Sequence, residues 1–133
     1  IRSTQTGSQV SWMIQGEEGS IETASGRRTH IYASQAENDL VLSPANIGLV
    51  ERERIQVPAD VDQHVSINLA VLHGEAGPAQ DQVAFTAGTI LSLLKIESSV
   101  TDGFEKAKQL LHDQKVDSTL SKLLSQMRMP VAV

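Results

Sequence analysis

From about residue 60 onward, apolar residues recur at spacings of three and four. Val65, Leu69 and Leu72 predict a first helix near 61–73, halted by Gly74. Gly77 and Pro78 open a second near 78–95, with the proline in the first turn, where its missing N–H costs nothing. Its apolar face carries Val83, Ala87, Ile90, Leu91 and Leu94. Val100, Phe104, Ala107, Leu110 and Leu111 predict a third helix near 99–113, and Val116, Leu120, Leu123, Leu124 and Met127 a fourth near 116–128. Ser99 stands three residues before Asp102, which predicts an N-cap with an acid in the first turn. One apolar face per helix leads to the expectation that the last three share a core. Leu91, Leu94, Phe104, Leu110, Leu111, Leu120, Leu123 and Leu124 are the residues expected to be largely buried in it.

The first third has a different rhythm. Val10 to Gln15 alternates, with Val10, Trp12 and Ile14 on one face and Met13 adding an apolar residue to the other. This predicts a strand buried on both sides. It runs into a turn, Gly16-Glu17-Glu18-Gly19. Ile21 to Ala24, Thr29 to Ala33 and Leu40 to Leu42 are further short strands by their β-branched content, the last stopped by Pro44. Ile1 to Gln9 and Gln35 to Asp39 are polar connections. Ala45 to Gln56 is mixed: Ile47 and Leu49 favour packing, Glu51 to Arg54 favour solvent, and Pro58 ends the stretch. Strands followed by helices make an α+β arrangement within this chain. A seam falls near Gln56 to Ala59, but each half is too small to stand alone, so residues 1–133 are read as a single unit, with strands over about 10–43 and helices over about 61–128.

Composition narrows the chemistry. Aromatic residues make up 3% of the chain, so any core is built from aliphatic side chains. Cysteine is absent, which removes disulfides, thiolate metal sites and a cysteine nucleophile, and favours a cytoplasmic protein. The net charge of −5, with no basic run longer than Arg27-Arg28, leaves no footprint for sequence-independent nucleic-acid binding. The most apolar run, Val83 to Ile96, is interrupted by Thr86, Thr89, Ser92 and Lys95 and is too short to span a bilayer, so no membrane is expected as a partner.

Among candidate functional residues, Glu17, Glu18 and Glu22 stand out as carboxylates gathered at a strand end. Such a place can hold Mg²⁺, which takes few protein ligands and leans on substrate phosphates; it is equally a solvated turn. His30, His64, His73 and His112 are scattered, none paired at the i, i+4 spacing of a helical metal clip. No Gly-x-Ser-x-Gly turn, Gly-x-Gly-x-x-Gly or P-loop is present. Asn68, Thr86 and Gly88 belong to helices of small residues, as close helix packing requires.

Three stretches in order carry a resemblance: Gly16-Glu17-Glu18-Gly19-Ser20-Ile21-Glu22-Thr23; Leu42-Ser43-Pro44-Ala45-Asn46-Ile47-Gly48-Leu49; and the series Gly77-Pro78 with Asp81, Ser99-x-x-Asp102-Gly103-Phe104-x-x-Ala107 and Lys115-Val116-x-x-x-Leu120-x-Lys122-Leu123. Together, from about Trp12 onward, they resemble the C-terminal end of anthranilate phosphoribosyltransferases. The resemblance implies the last part of an α/β domain, in a protein that moves a phosphoribosyl group from phosphoribosyl diphosphate to anthranilate in tryptophan biosynthesis. It implies Mg²⁺ as cofactor. The family's adjacent Asp-Glu metal pair falls on Ile21 and Glu22, so Glu22 is the metal residue it assigns and one carboxylate is replaced by an alkyl group. Gln15 stands where the family has His, and Thr86 where it usually has Asn. The family's glycine-rich diphosphate loop, most of its anthranilate-binding residues and the helical domain that forms its homodimer all precede the matched region. No catalytic residue is therefore expected in this chain, nor activity from it alone. The alternative is a non-catalytic relative that binds nucleic acid, toward which Ile21 and Gln15 lean and the acidic balance does not.

Overall fold

The computed structural model describes residues 10–17, 19–23, 26–34, 39–50 and 58–127. The chain divides into two compact units, Ile1–Glu53 and Arg54–Val133.

The first unit is a three-stranded antiparallel meander, β1 (Trp12–Gly16), β2 (Thr29–Ala33) and β3 (Leu40–Leu42), in the order β1-β2-β3. Register places Ile14 opposite Ile31 and Ile31 opposite Leu40, with Gly16, Thr29 and Leu42 forming the next row on the same face. Ile31, Thr29 and Leu42 are buried there. The opposite face carries Met13 beside Tyr32, and Gln15, His30 and Val41 in a row. Met13 is 64% exposed, so β1 is not buried on both sides as its apolar content suggested. An apolar residue in an alternating strand says nothing about whether a second layer lies over it. The strand expected from Ile21 to Ala24 is also absent over its described residues: Ile21 and Glu22 form bends and pair with no strand. β-branched residues need a partner edge to extend, and the loop closing on Ser20 leaves them without one.

After β3 the mixed stretch begins with a short 3₁₀ helix, Pro44–Ile47. Asn46 Oδ1 accepts the Ser43 N–H at 2.8 Å, Ser43 Oγ accepts the Ala45 N–H at 3.4 Å, and Gly48 ends the turn at φ 76°. Pro44 and Ile47 are buried. Residues 51–57, which include the rest of that stretch after Val50, lie outside the described residues.

The second unit holds α1 (Val61–Leu72), α2 (Pro78–Leu93), α3 (Val100–His112) and α4 (Lys115–Met127). The expected helices are all present. α1 is capped by Asp60 and ends in a Schellman turn: Gly74, at φ 89°, donates its N–H to Val71 C=O at 3.0 Å and Glu75 donates to Ala70 C=O at 2.9 Å. α2 starts at Gly77 with Pro78 in its first turn. Ser99 caps α3, its Oγ accepting the Asp102 N–H at 3.0 Å. His112 lies in the last turn of α3, where a cation is favoured.

The core of this unit lies between α2 and α3. Ala84, Phe85, Gly88 and Thr89 of α2 are buried, as are Gly103, Phe104, Ala107 and Leu111 of α3. Burying a side chain the size of Phe85 or Leu111 is worth about 1.5–3 kcal/mol, so a few such residues hold the pair. The shared core expected of three helices is narrower than their periodicity implied. Phe104 and Leu111 are buried, and Leu91, Leu110 and Leu120 are half-buried. Leu94, Leu123 and Leu124 are exposed, and α4 buries no residue. Periodicity identifies the apolar face of a helix but not what covers it.

Candidate functional site

The acidic turn after β1 is built by its backbone. Gly16 donates its N–H to Ser20 C=O at 2.9 Å and Gly19 donates to Gly16 C=O at 2.9 Å, closing a tight loop. Gly19 takes φ 92°, a conformation that a side chain would oppose although space around it is open. Ser20 Oγ donates to Glu22 C=O at 3.2 Å. Glu17 donates its N–H to Arg28 C=O at 3.0 Å, carrying the β1–β2 ladder one residue further.

That extra rung decides what Glu17 can do. Its Oε1 lies 3.6 Å from Arg28 Nε and 3.5 Å from His30 Nε2. The His30 ring in turn stacks near Tyr32, with centroids 6.2 Å apart and planes 14° from parallel. Glu17 is thus held in a small cluster with Arg28, just before β2, and His30 of β2. Sequence reasoning missed this cluster. The signal was the hairpin register, since pairing Gly16 with Thr29 sets Glu17 across from Arg28.

Of the other carboxylates, Glu22 is exposed on the bend, beside an Ile21 that is 89% exposed, and Glu18 lies outside the described residues. Among the described residues no three His, Asp or Glu side chains come together as metal donors. One exposed carboxylate next to an alkyl group does not fit a divalent cation that needs several hard oxygens. The described residues therefore do not make a Mg²⁺ site. The remaining histidines serve helix ends or lie on the surface: His73 Nε2 is 3.5 Å from Asp117 Oδ1, His112 Nδ1 is 3.3 Å from Asp113 Oδ1, and His64 is exposed on α1.

In the helical unit the polar groups brace the α2–α3 pair. Asp81 of α2 receives Lys108 Nζ of α3 at 3.1 Å, and the same ammonium sits 5.3 Å above the Phe104 ring. Thr86 Oγ1 donates to Gln82 C=O at 3.2 Å, a bond within its own helix. The hydroxyls of Ser98 and Ser99 both donate to Asp102 Oδ2, and hold its carboxyl below the usual aspartate range. No helix among the described residues is long and apolar enough to cross a membrane.

No family model matches the chain. It is 25% identical over 116 residues to the anthranilate phosphoribosyltransferase of Lacticaseibacillus casei, a match covering 85% of this chain and 34% of that protein. Its fold matches the crystal structure of anthranilate phosphoribosyltransferase from Thermus thermophilus with a TM-score of 0.74 at 21% identity, over 90% of this chain and 36% of that one. The chain spans about a third of the length of both. Meander and helices are thus an α/β phosphoribosyltransferase fold in part, and the resemblance of this chain to the anthranilate phosphoribosyltransferase family, read first from its motifs, is borne out by sequence and by fold.

Proposed function

We propose that this chain is the C-terminal segment of an anthranilate phosphoribosyltransferase-like protein acting in tryptophan biosynthesis. The observation that carries the reading is convergence: a sequence relative and a structural neighbour, from different organisms, have the same activity in their names. In the whole protein the amine nitrogen of anthranilate forms a bond to C1 of the ribose and releases one of its protons to solvent. The C1–O bond to the diphosphate breaks, and the diphosphate leaves with the electron pair. Catalysis of such a transfer is mostly placement and stabilisation of charge on the leaving group. The part we assign to this chain is scaffolding, through the β meander and the braced α2–α3 pair, with Glu22 presented on the loop after β1. The whole protein is proposed to be a cytoplasmic homodimer, its dimer contacts lying in the helical domain that the family carries upstream. The nucleic-acid alternative has no observation in its favour among the described residues.

The test is an assay of the whole protein purified from its source, given anthranilate, phosphoribosyl diphosphate and Mg²⁺. Loss of anthranilate fluorescence with release of diphosphate is expected. A pure, folded whole protein that consumes neither substrate overturns the reading.

A further inference from the structure

The ends of α1 and α3 and the start of α4 meet at one place. Gly74, just past α1, lies so close to the end of α3 that a Cβ on it would stand 2.8 Å from the Leu111 carbonyl oxygen and 3.3 Å from His112 Cα. That contact is backbone to backbone and leaves α1 and α3 little play. α4 is joined differently. It buries no residue, and Val116, Asp117 and Leu120, all in its first two turns, are its half-buried ones. Two side chains tie it down. Gln114, between α3 and α4, donates from Nε2 to the C=O of His73 at 3.1 Å, and so satisfies a carbonyl at the end of α1. It does so from φ 54°, where glycine would be at ease but would have no amide to give. The second tie is His73 Nε2, 3.5 Å from Asp117 Oδ1. His73 is the C-cap of α1 and Asp117 lies in the first turn of α4, and a cation suits the first place as an anion suits the second.

We propose that this junction is a pH-sensitive fastening for α4. With the His73 imidazole protonated, an ion pair with Asp117 clamps the first turn of α4 to the end of α1. With the imidazole neutral that attraction is gone, and α4 is held by Gln114 and its three half-buried residues alone. It then opens more often, swinging about Gln114. The clamp is complete on the acid side of the range in which histidine changes charge, while Asp117 stays ionised, and it is lost as pH rises through that range. Both side chains are half exposed, so the clamp changes the opening of α4 by no more than about fivefold. The other charged groups at the junction are Glu75, Lys115 and the pair His112 and Asp113, whose Nδ1 and Oδ1 are 3.3 Å apart. That pair lies wholly at the end of α3, so its titration bridges no two helices.

Hydrogen exchange followed by mass spectrometry tests this on the whole protein from its source, at about pH 5.5 and about pH 8. The readout is the ratio of the exchange rate of α4 amides to that of α2 amides. Chemical acceleration of exchange with pH is common to both helices and cancels, so the ratio reports local opening of α4. In wild type it should rise by about three- to fivefold from the lower pH to the higher. His73→Gln and Asp117→Asn should each make it flat, near the wild-type value at the higher pH. His112→Gln should leave the rise intact. Gln114→Ala should raise the ratio at both pH values and keep the rise, because it removes the other tie. A wild-type ratio that does not change with pH overturns the proposal, as does a rise that survives His73→Gln or one that is lost in His112→Gln. None of these measurements depends on turnover, so their outcome is separate from that of the activity assay above.

Discussion

Gly88 of α2 and Gly103 of α3 meet backbone to backbone. A Cβ built on Gly88 would stand 2.6 Å from the Gly103 carbonyl carbon, and one built on Gly103 would stand 2.9 Å from the Gly88 carbonyl carbon. Neither neighbour is the end of a flexible side chain, so the helices themselves must move apart. Gly88→Ala and Gly103→Ala should each destabilise by about 1–3 kcal/mol or more through overpacking, although alanine favours a helix interior by about 1 kcal/mol. Thermal melting checks this. A rise in midpoint for either variant would mean the crossing is looser than described.

Helix existence and caps were legible because they are local. Ser99, Gly74 and Pro78 announce their roles within four residues of themselves, and small residues around Gly88 announced a close crossing. What was not legible depends on partners distant in sequence. The apolar stripes of α1 and α4 have the same spacing as that of α3, yet only α3 is covered. Likewise Glu17 belongs to Arg28 and His30 through a hairpin register that no local pattern encodes. Of the candidate site, the turn and its exposed Glu22 were visible in the sequence, and the fate of Glu17 was not.

Leu111 and Leu123 separate the covered face from the uncovered one. Leu111 is 4% exposed in the α2–α3 core, and Leu111→Ala should cost about 2–5 kcal/mol. Leu123 is half exposed, and in the isolated chain Leu123→Ala should stay within about 0.5 kcal/mol, as for an ordinary surface change. Chemical denaturation of the two variants side by side reads the difference directly, and equal losses would mean that α4 has a core of its own.

Thr89 is fully buried on α2, and its Oγ1 finds no hydrogen-bond partner among the described residues. A buried hydroxyl left unpaired costs about 1–3 kcal/mol. Thr89→Val keeps the shape and removes the orphan, so it should raise stability by about 1 kcal/mol. A melting midpoint lower than that of the parent sequence would show that the hydroxyl is satisfied.

Asp102 supplies a pH dependence. Hydrogen bonds from Ser98 first, then Ser99, favour its charged form and lower its pKa on folding. A group depressed in this way contributes stability that is complete above its unfolded pKa, and that contribution fades as pH falls through the lower folded value. Melting midpoints followed from about pH 5 down to about pH 2 should fall less steeply for Asp102→Asn than for wild type. Parallel acid limbs would mean that the Ser98 and Ser99 bonds do not discriminate between the charged and neutral carboxyl.

The turn after β1 allows one gain-of-function test. Glu22 is an exposed carboxylate, Glu17 is engaged by Arg28 and His30, and Ile21 projects into solvent where the resembling family has Asp. A hard cation needs several oxygens at one point, and Mg²⁺ in particular keeps most of its waters unless phosphates join the site. Titration of the wild-type whole protein with Mg²⁺ alone should therefore reveal at most a weak site. Ile21→Asp adds a second carboxylate beside the first, on a side chain already exposed, so no core is disturbed. It should tighten Mg²⁺ binding, and Glu22→Gln in the same background should abolish the gain, because the two oxygens act together. Calorimetric curves that coincide for wild type, Ile21→Asp and Glu22→Gln would remove this turn as a metal site. Tight binding by wild type would do the opposite, and would point to ligands beyond the described residues.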